Sequence, residues 1–184
     1  MYPFFRLARE SFRNRKADPL PLLGTHEADH ICWPWDIDPW MELNNGRALT
    51  LYDMGRVGLF LRVGAVAVMQ ENRWAGTVAG SSVRYRRRVR AFDRYRLRSR
   101  MIGWDKRFFY AEQSMWRKGD CTSHGLLRMA ITDRNGLVET ARVAVAFGHD
   151  GESPTLPHWV RAWIEAEDKR PWPPMQEQRT VIAA

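Results

Sequence analysis

From Asn44 to about Val68 the apolar residues Leu49, Tyr52, Leu59, Phe60 and Val63 return at intervals of three, four or seven, the spacing of one long helix with a buried face. Asn44 or Asn45 is its natural N-cap. Gly46, Gly55, Gly58 and Gly64 are poor helix formers, so a sheet packed closely on this helix is expected to explain them. After Gly76 the period falls to two. Val83, Tyr85, Arg87 and Val89 alternate with Arg84, Arg86, Arg88 and Arg90, and Tyr95, Leu97, Ser99 and Met101 alternate with Arg94, Arg96, Arg98 and Arg100. The pattern predicts strands over Ser82 to Arg90 and Arg94 to Met101. Two further strands follow over Arg107 to Arg117 and Cys121 to Thr132, the first closed by Lys118, Gly119, Asp120 and the second by Asp133, Arg134, Asn135, Gly136.

Ahead of the long helix, Ala28 to Trp35 reads as a first strand ending in the turn Asp36, Ile37, Asp38, Pro39. One strand, a long helix and four strands joined by short turns predict an α+β domain, an antiparallel sheet packed on one helix. That domain is placed at residues 25–170. Residues 1–24 form an arm and connector in which Phe4, Phe5, Ala8 and Phe12 make a short apolar helix face, expected to dock on the domain or a partner subunit rather than on a membrane. After a short apolar segment from Ala141 to Phe147, His158 to Asp168 reads as a surface helix and residues 171–184 as a tail.

Composition narrows the class. A chain of 184 residues fits one domain, and no apolar run reaches the roughly 18 residues of a spanning helix. Two distant cysteines, Cys32 and Cys121, and no secretory leader point to the cytoplasm. An excess of 29 Lys and Arg over 21 Asp and Glu, a net charge of +8, favours an anionic partner. The nine tryptophans, several beside proline as in Trp33, Pro34, Trp35 and Pro171, Trp172, Pro173, suggest rigid packed segments.

The chemistry concentrates where the first strand gives way to the helix. Asp36, Asp38, Glu42, Asn44 and Asn45 fall within ten positions. A helix N-terminus presents unpaired NH groups and partial positive charge, which can hold a carbonyl oxygen as it becomes an oxyanion. A neighbouring carboxylate can activate water or attack the carbonyl. Ordinary capping by the same side chains is the competing reading.

The segment WDIDPWMELNNGRALTLYDMGR resembles the opening of the central helix in the hotdog thioesterase superfamily, where an Asp-x-Asp turn is followed by His-Met-Asn-Asn and an aromatic residue. The likeness is greatest to the 4-hydroxybenzoyl-CoA thioesterase-like branch and extends to the element order and to Leu156–Val160. It implies a sheet wrapped around the central helix and a homodimer or homotetramer with active sites between subunits. It also implies a thioester substrate such as an acyl-CoA, hydrolysed to a free acid and a thiol. Asp38 matches the catalytic carboxylate of the branch and Asn44 and Asn45 its paired amides, with backbone NH groups of Asn44 to Gly46 as the oxyanion site. Glu42 stands where the family has His, and Leu49 where it has the aromatic residue.

Two carboxylates at Asp38 and Glu42 would tend to raise the pKa of one of them. The histidines show no metal-ligand spacing and GxGxxG is absent, so neither metal nor nucleotide cofactor is expected. Arg84, Arg86 and Arg88 are candidates to grip coenzyme A phosphates, against the plainer reading of a solvated face. A non-catalytic acyl-CoA or lipid-binding protein is the leading alternative. Nucleic-acid binding ranks lower, because Tyr85 and Tyr95 are assigned to the face opposite the arginines.

Overall fold

The computed structural model describes residues 2–174. It divides into two compact units that meet at Pro154 and Thr155. The first contains α1 (Phe4–Asn14), β1 (Thr25–Ile31), α2 (Asn45–Arg62), α3 (Ala65–Asn72), β2 (Ala75–Tyr85), β3 (Arg94–Trp104), β4 (Phe109–Arg117), β5 (Asp120–Asp133), β6 (Gly136–Leu137) and α4 (Thr140–Ala146). The second contains α5 (His158–Asp168), where the surface helix was expected.

The sheet is antiparallel throughout, in the order β1-β3-β4-β5-β2, with β6 paired to β5. The period-two reading of β3 holds: Tyr95, Leu97, Ser99 and Met101 are buried, while Arg94, Arg96, Arg98 and Arg100 are exposed. Three of these arginines meet carboxylates across the strands, Arg96 with Asp29, Arg98 with Glu27 and Arg100 with Glu112. The buried face packs on α2, whose Leu51 and Tyr52 join Leu97 and Met115 in one apolar cluster, and whose Leu59 joins Met101, Phe109 and Leu127 in another. Gly58 has the reason the sequence asked for, since a Cβ there would stand 2.3 Å from His26 Nε2.

A buried polar bridge also ties α2 to the sheet. Gln113 Nε2 donates to the Tyr52 carbonyl at 2.8 Å and to Ser99 Oγ at 2.7 Å, while Arg56 Nη1 donates to Gln113 Oε1 at 2.7 Å. Each buried polar atom is thereby matched, which is what makes such a group tolerable in a core.

Four expectations are corrected. The single helix to Val68 is two, because Gly64 takes a left-handed φ of 74° that ends α2 and lets α3 restart in another direction. The first strand starts and stops earlier than expected: Pro34 has no NH for a ladder, and residues 34–36 form a 3-10 turn in which Asp36 Oδ2 accepts from the Trp33 NH. The arginine strand is displaced towards the N-terminus. β2 ends at Tyr85, opposite Ser123, because the ladder breaks at a bulge at Thr122, whose one carbonyl accepts from the NH groups of both Arg86 and Arg87. Arg84 therefore lies in the strand, whereas Arg86 and Arg88 lie in the loop after it. The prolines do not bury their indoles, for Trp35 and Trp172 are 65% and 87% exposed, although Trp35 stacks on Trp33 at 5.3 Å.

The arm docks on its own domain, against α2, but by its polar side. Arg6, Glu10 and Asn14 are the buried residues of α1, and Phe4, Phe5 and Phe12 are 69%, 85% and 75% exposed. An ion pair explains the inversion: Arg6 Nη2 lies 2.6 Å from Asp36 Oδ2, and a guanidinium that reaches a buried carboxylate fixes the helix rotation.

Two buried histidines set an acid limit on stability. Burial pushes His26 down to about 4, helped by Arg62, and pushes His30 down to about 4, helped by Arg9, Arg6 and Arg13. Both are neutral in the fold, whereas the unfolded chain takes up their protons below its ordinary value of 6.5. Their contribution is therefore complete above that value and is lost as pH falls from 6.5 towards 4, on the order of 2 kcal/mol per histidine. Thermal melts across that window are expected to fall steeply for the wild type and less steeply for His26→Gln and His30→Gln; parallel curves would contradict this.

Candidate functional site

The site is assembled by a short turn that presents the start of α2. Ile37 and Leu43 pair as an antiparallel bridge, and the Asp38 NH donates to the Glu42 carbonyl at 2.9 Å, so Asp38 to Glu42 is a closed loop. Asp38 Oδ1 accepts from the Trp40 NH at 3.0 Å. Among the described residues Asp38 Oδ2 has no hydrogen-bond partner, which leaves one carboxylate oxygen available at a fixed place. Glu42 differs, because Oε2 is paired with Arg88 Nε at 2.8 Å.

Asn44 caps α2: its Oδ1 accepts from the Arg47 NH at 3.0 Å, and its own NH donates to the Asp36 carbonyl at 3.0 Å. Helix geometry leaves the NH groups of Asn45 and Gly46 without intrahelical acceptors, at the positive end of the dipole. The capping is thus done by Asn44, and the first two helix NH groups are left over from it.

A cavity of about 190 Å³ opens beside this helix start. It brings together Glu42, Asn45, Arg86 and Arg88 with Tyr85, Thr122 and Ser123. Asp38 is one backbone hydrogen bond from Glu42 but does not line the cavity, nor do Asn44, Gly46 or Arg84. Tyr85 Oη donates to the Asn45 carbonyl at 3.1 Å, and Ser123 Oγ is 2.8 Å from Tyr52 Oη at the inner wall. An adjoining basic cavity of about 410 Å³ shares Arg87, Arg88 and Thr122 and adds Arg90 and Arg117. Further along α2 lies an apolar cavity of about 640 Å³ lined by Phe60, Met69, Met101 and Phe109 among others.

Tyr85 and Ser123 were not singled out as site residues by sequence, and Asp36 was named in the acidic cluster without a role. Tyr85 was placed on the far face because the alternation was carried past the true end of the strand. Asp36 is held by Arg6, thirty positions away, a contact no local pattern signals. His124 pairs with the sheet rather than with the site: Nε2 lies 2.9 Å from Glu112 Oε1, and His124 with Arg100 draws the Glu112 carboxyl down to about 2. Among the described residues no cluster of three His, Cys, Asp or Glu could hold a metal.

Known proteins place this arrangement. Residues 32–164 match the thioesterase-like superfamily. Protein THEM6 of Xenopus laevis is 30% identical over 148 residues, covering 80% of this chain and 70% of that protein. Protein THEM6 of Drosophila melanogaster is 24% identical over 139 residues, 74% of this chain and 70% of that one. Among solved structures, YbaW from Escherichia coli superposes with a TM-score of 0.63 at 14% identity, covering 68% of this chain and 97% of that one. The DHNA-CoA thioesterase from Staphylococcus aureus superposes with a TM-score of 0.58 at 11% identity, covering 78% and 91%. The fold is the hotdog fold, as the resemblance implied. With most of its length matched and its sheet, helix and helix-opening turn in place, the chain belongs to the thioesterase-like superfamily.

Proposed function

We propose that the chain hydrolyses an acyl-CoA or similar thioester, with Asp38 as the base that activates water and the NH groups of Asn45 and Gly46 as the oxyanion site. Membership of the thioesterase-like superfamily supports the reaction class, thioester hydrolysis. The observation that carries the finer reading is a fixed, partly unpartnered Asp38 carboxylate in the closed loop that leads into α2, whose first NH groups have no intrahelical acceptor. Water attacks the thioester carbonyl as Asp38 takes its proton. The oxygen gains negative charge against the two NH groups, where preorganised dipoles are worth most. Collapse of that intermediate breaks the C–S bond and releases the acid and the thiol, which takes up a proton.

Glu42 acts on Arg88 in this reading. Their ion pair holds a loop arginine at the cavity mouth, Arg117 is held likewise by Asp93, and Arg86 and Arg90 supply the uncompensated charge that coenzyme A phosphates require. Arg84, outside both cavities, is left to the solvated face of β2. The acyl tail takes the apolar cavity. Ala48 lines the first pocket and Asp53 the apolar one, five residues and about 7 to 8 Å apart along the helix. The homodimer belongs to the same reading: β2 is an exposed edge strand whose stretch Gly76–Ser82 carries no charge, a natural seam for a second copy.

Thiol release by purified protein from acyl-CoA esters of graded chain length tests the function. Turnover rising with chain length and then levelling as the cavity fills is expected. Binding of the same esters without thiol release would establish the non-catalytic acyl-CoA-binding alternative instead. Among the described residues no helix is long and apolar enough to cross a membrane.

A further inference from the structure

A second basic cleft, of about 620 Å³, lies between α1 and the β1 and β3 strands. It shares no lining residue with the three cavities assigned to the thioester. Its charge is not an artefact of counting arginines, since several are already neutralised. Arg96 is paired with Asp29, Arg98 with Glu27 and Arg6 with Asp36. Arg13, Arg94 and Lys118 remain, and among the described residues none of them has a carboxylate partner. Exposed cations alone would describe any solvated surface.

Buried groups distinguish this one. Arg6 Nη1, His30 Nε2 and Tyr95 Oη are all inaccessible to solvent and all lack a hydrogen-bond partner among the described residues. Their residues are 8%, 4% and 3% exposed, and all three line the cleft. Buried polar atoms are ordinarily satisfied, so three unsatisfied ones among the residues that line one cleft set it apart from a solvated surface. The three can act together as donors: a guanidinium NH, a phenol OH and an imidazole NH, the last when the tautomer places hydrogen on Nε2. His30 and Tyr95 also stack, with centroids 5.7 Å apart and planes 21° from parallel, so each ring orients the other. An acceptor-rich anion answers all of these groups at once.

We propose that this cleft is a binding site for a phosphate-bearing anion, separate from the thioester site. Arg6, His30 and Tyr95 donate from the buried wall, and Arg13, Arg94 and Lys118 neutralise the charge at the rim. Three unpaired rim cations suit a group carrying more than one phosphate charge, the chemistry shared by soluble diphosphates and by polyphosphorylated lipid headgroups. Bidentate guanidinium contacts would give such a group orientation as well as affinity.

Titration calorimetry with inorganic pyrophosphate tests the site. An Arg88→Ala, Arg90→Ala background weakens the other basic cavity and isolates this one. In that background pyrophosphate is expected to bind saturably, one per chain. Adding Arg94→Ala and Lys118→Ala, both at exposed positions, is expected to lower the affinity about ten-fold or more. Adding Tyr95→Phe instead keeps the ring and removes one donor, and is expected to lower it about three-fold or more. Arg134→Ala, an exposed arginine outside the cleft, leaves it unchanged. Melting temperatures with and without ligand show which variants remain folded. Non-saturating binding in the background, or equal affinity with and without Arg94 and Lys118, would overturn the proposal. Co-sedimentation with phosphatidylcholine vesicles containing phosphatidylinositol bisphosphate, competed by pyrophosphate, assigns the site to a lipid headgroup. Calorimetric binding without co-sedimentation assigns it to a soluble ligand.

Discussion

Asp38→Asn is expected to lower kcat on the best acyl-CoA ester by roughly 10²- to 10⁴-fold with little change in KM, the loss appropriate to a general base. Asparagine is the informative replacement. It keeps an oxygen that can accept from the Trp40 NH, so the turn that presents the start of α2 stands while the proton acceptor is gone. Glu42→Gln is expected to behave differently. It weakens the pair with Arg88, an interaction at the cavity mouth with the arginine side chain 70% exposed, and so acts on KM by a factor of about ten or less. Steady-state thiol release from both variants over a range of ester concentrations separates the two effects. A near-normal kcat in Asp38→Asn, with kcat lost in Glu42→Gln, would exchange the roles of the two carboxylates.

The residues that were legible in advance have local reasons. β3 could be read because its alternation is enforced by a core on one face and water on the other, and Asn44 because a cap is a contact between residues three apart. What the sequence concealed depends on distant partners. The arginine run looks like a strand to its end, yet a strand persists only while its ladder does, and the pairing with β5 breaks after Tyr85 at the Thr122 bulge. The helix face of α1 was misjudged for a similar reason: its phenylalanines mark an apolar face by local pattern, but the rotation follows one ion pair to Asp36. At the site, Asp38, Asn44, Asn45 and Gly46 could be read together because one short stretch holds them, the loop and the helix start it leads into. Tyr85 and Ser123 could not, since only the curl of the sheet carries their strands to that helix end.

Asp36→Ala is expected to destabilise the fold by about 3 to 5 kcal/mol, the cost of removing one partner from a buried ion pair. For a chain of this size that is a fall in Tm on the order of 10 °C. The Asp36 side chain is inaccessible and serves three groups: Oδ2 meets Arg6 Nη2 at 2.6 Å and the Trp33 NH at 2.9 Å, and Oδ1 lies 3.4 Å from Arg47 Nε. Alanine leaves the Arg6 guanidinium in its buried position without a countercharge, which costs more than never having had the pair. Arg6→Met should therefore be milder than Asp36→Ala, because it fills the same space and leaves Asp36 with Arg47 and the Trp33 NH. The double variant should lose well under the sum of the single losses. Denaturant titrations of the three proteins measure the coupling, and an Asp36→Ala midpoint equal to the wild type would refute the assignment. The effect should also reach the site, because the Asp36 carbonyl accepts from the Asn44 NH at 3.0 Å and the helix start is hung from it. A residue that never touches substrate then lowers kcat in proportion to how far the turn loosens, and Asp36→Asn, which retains an acceptor for the Trp33 NH, recovers part of that loss.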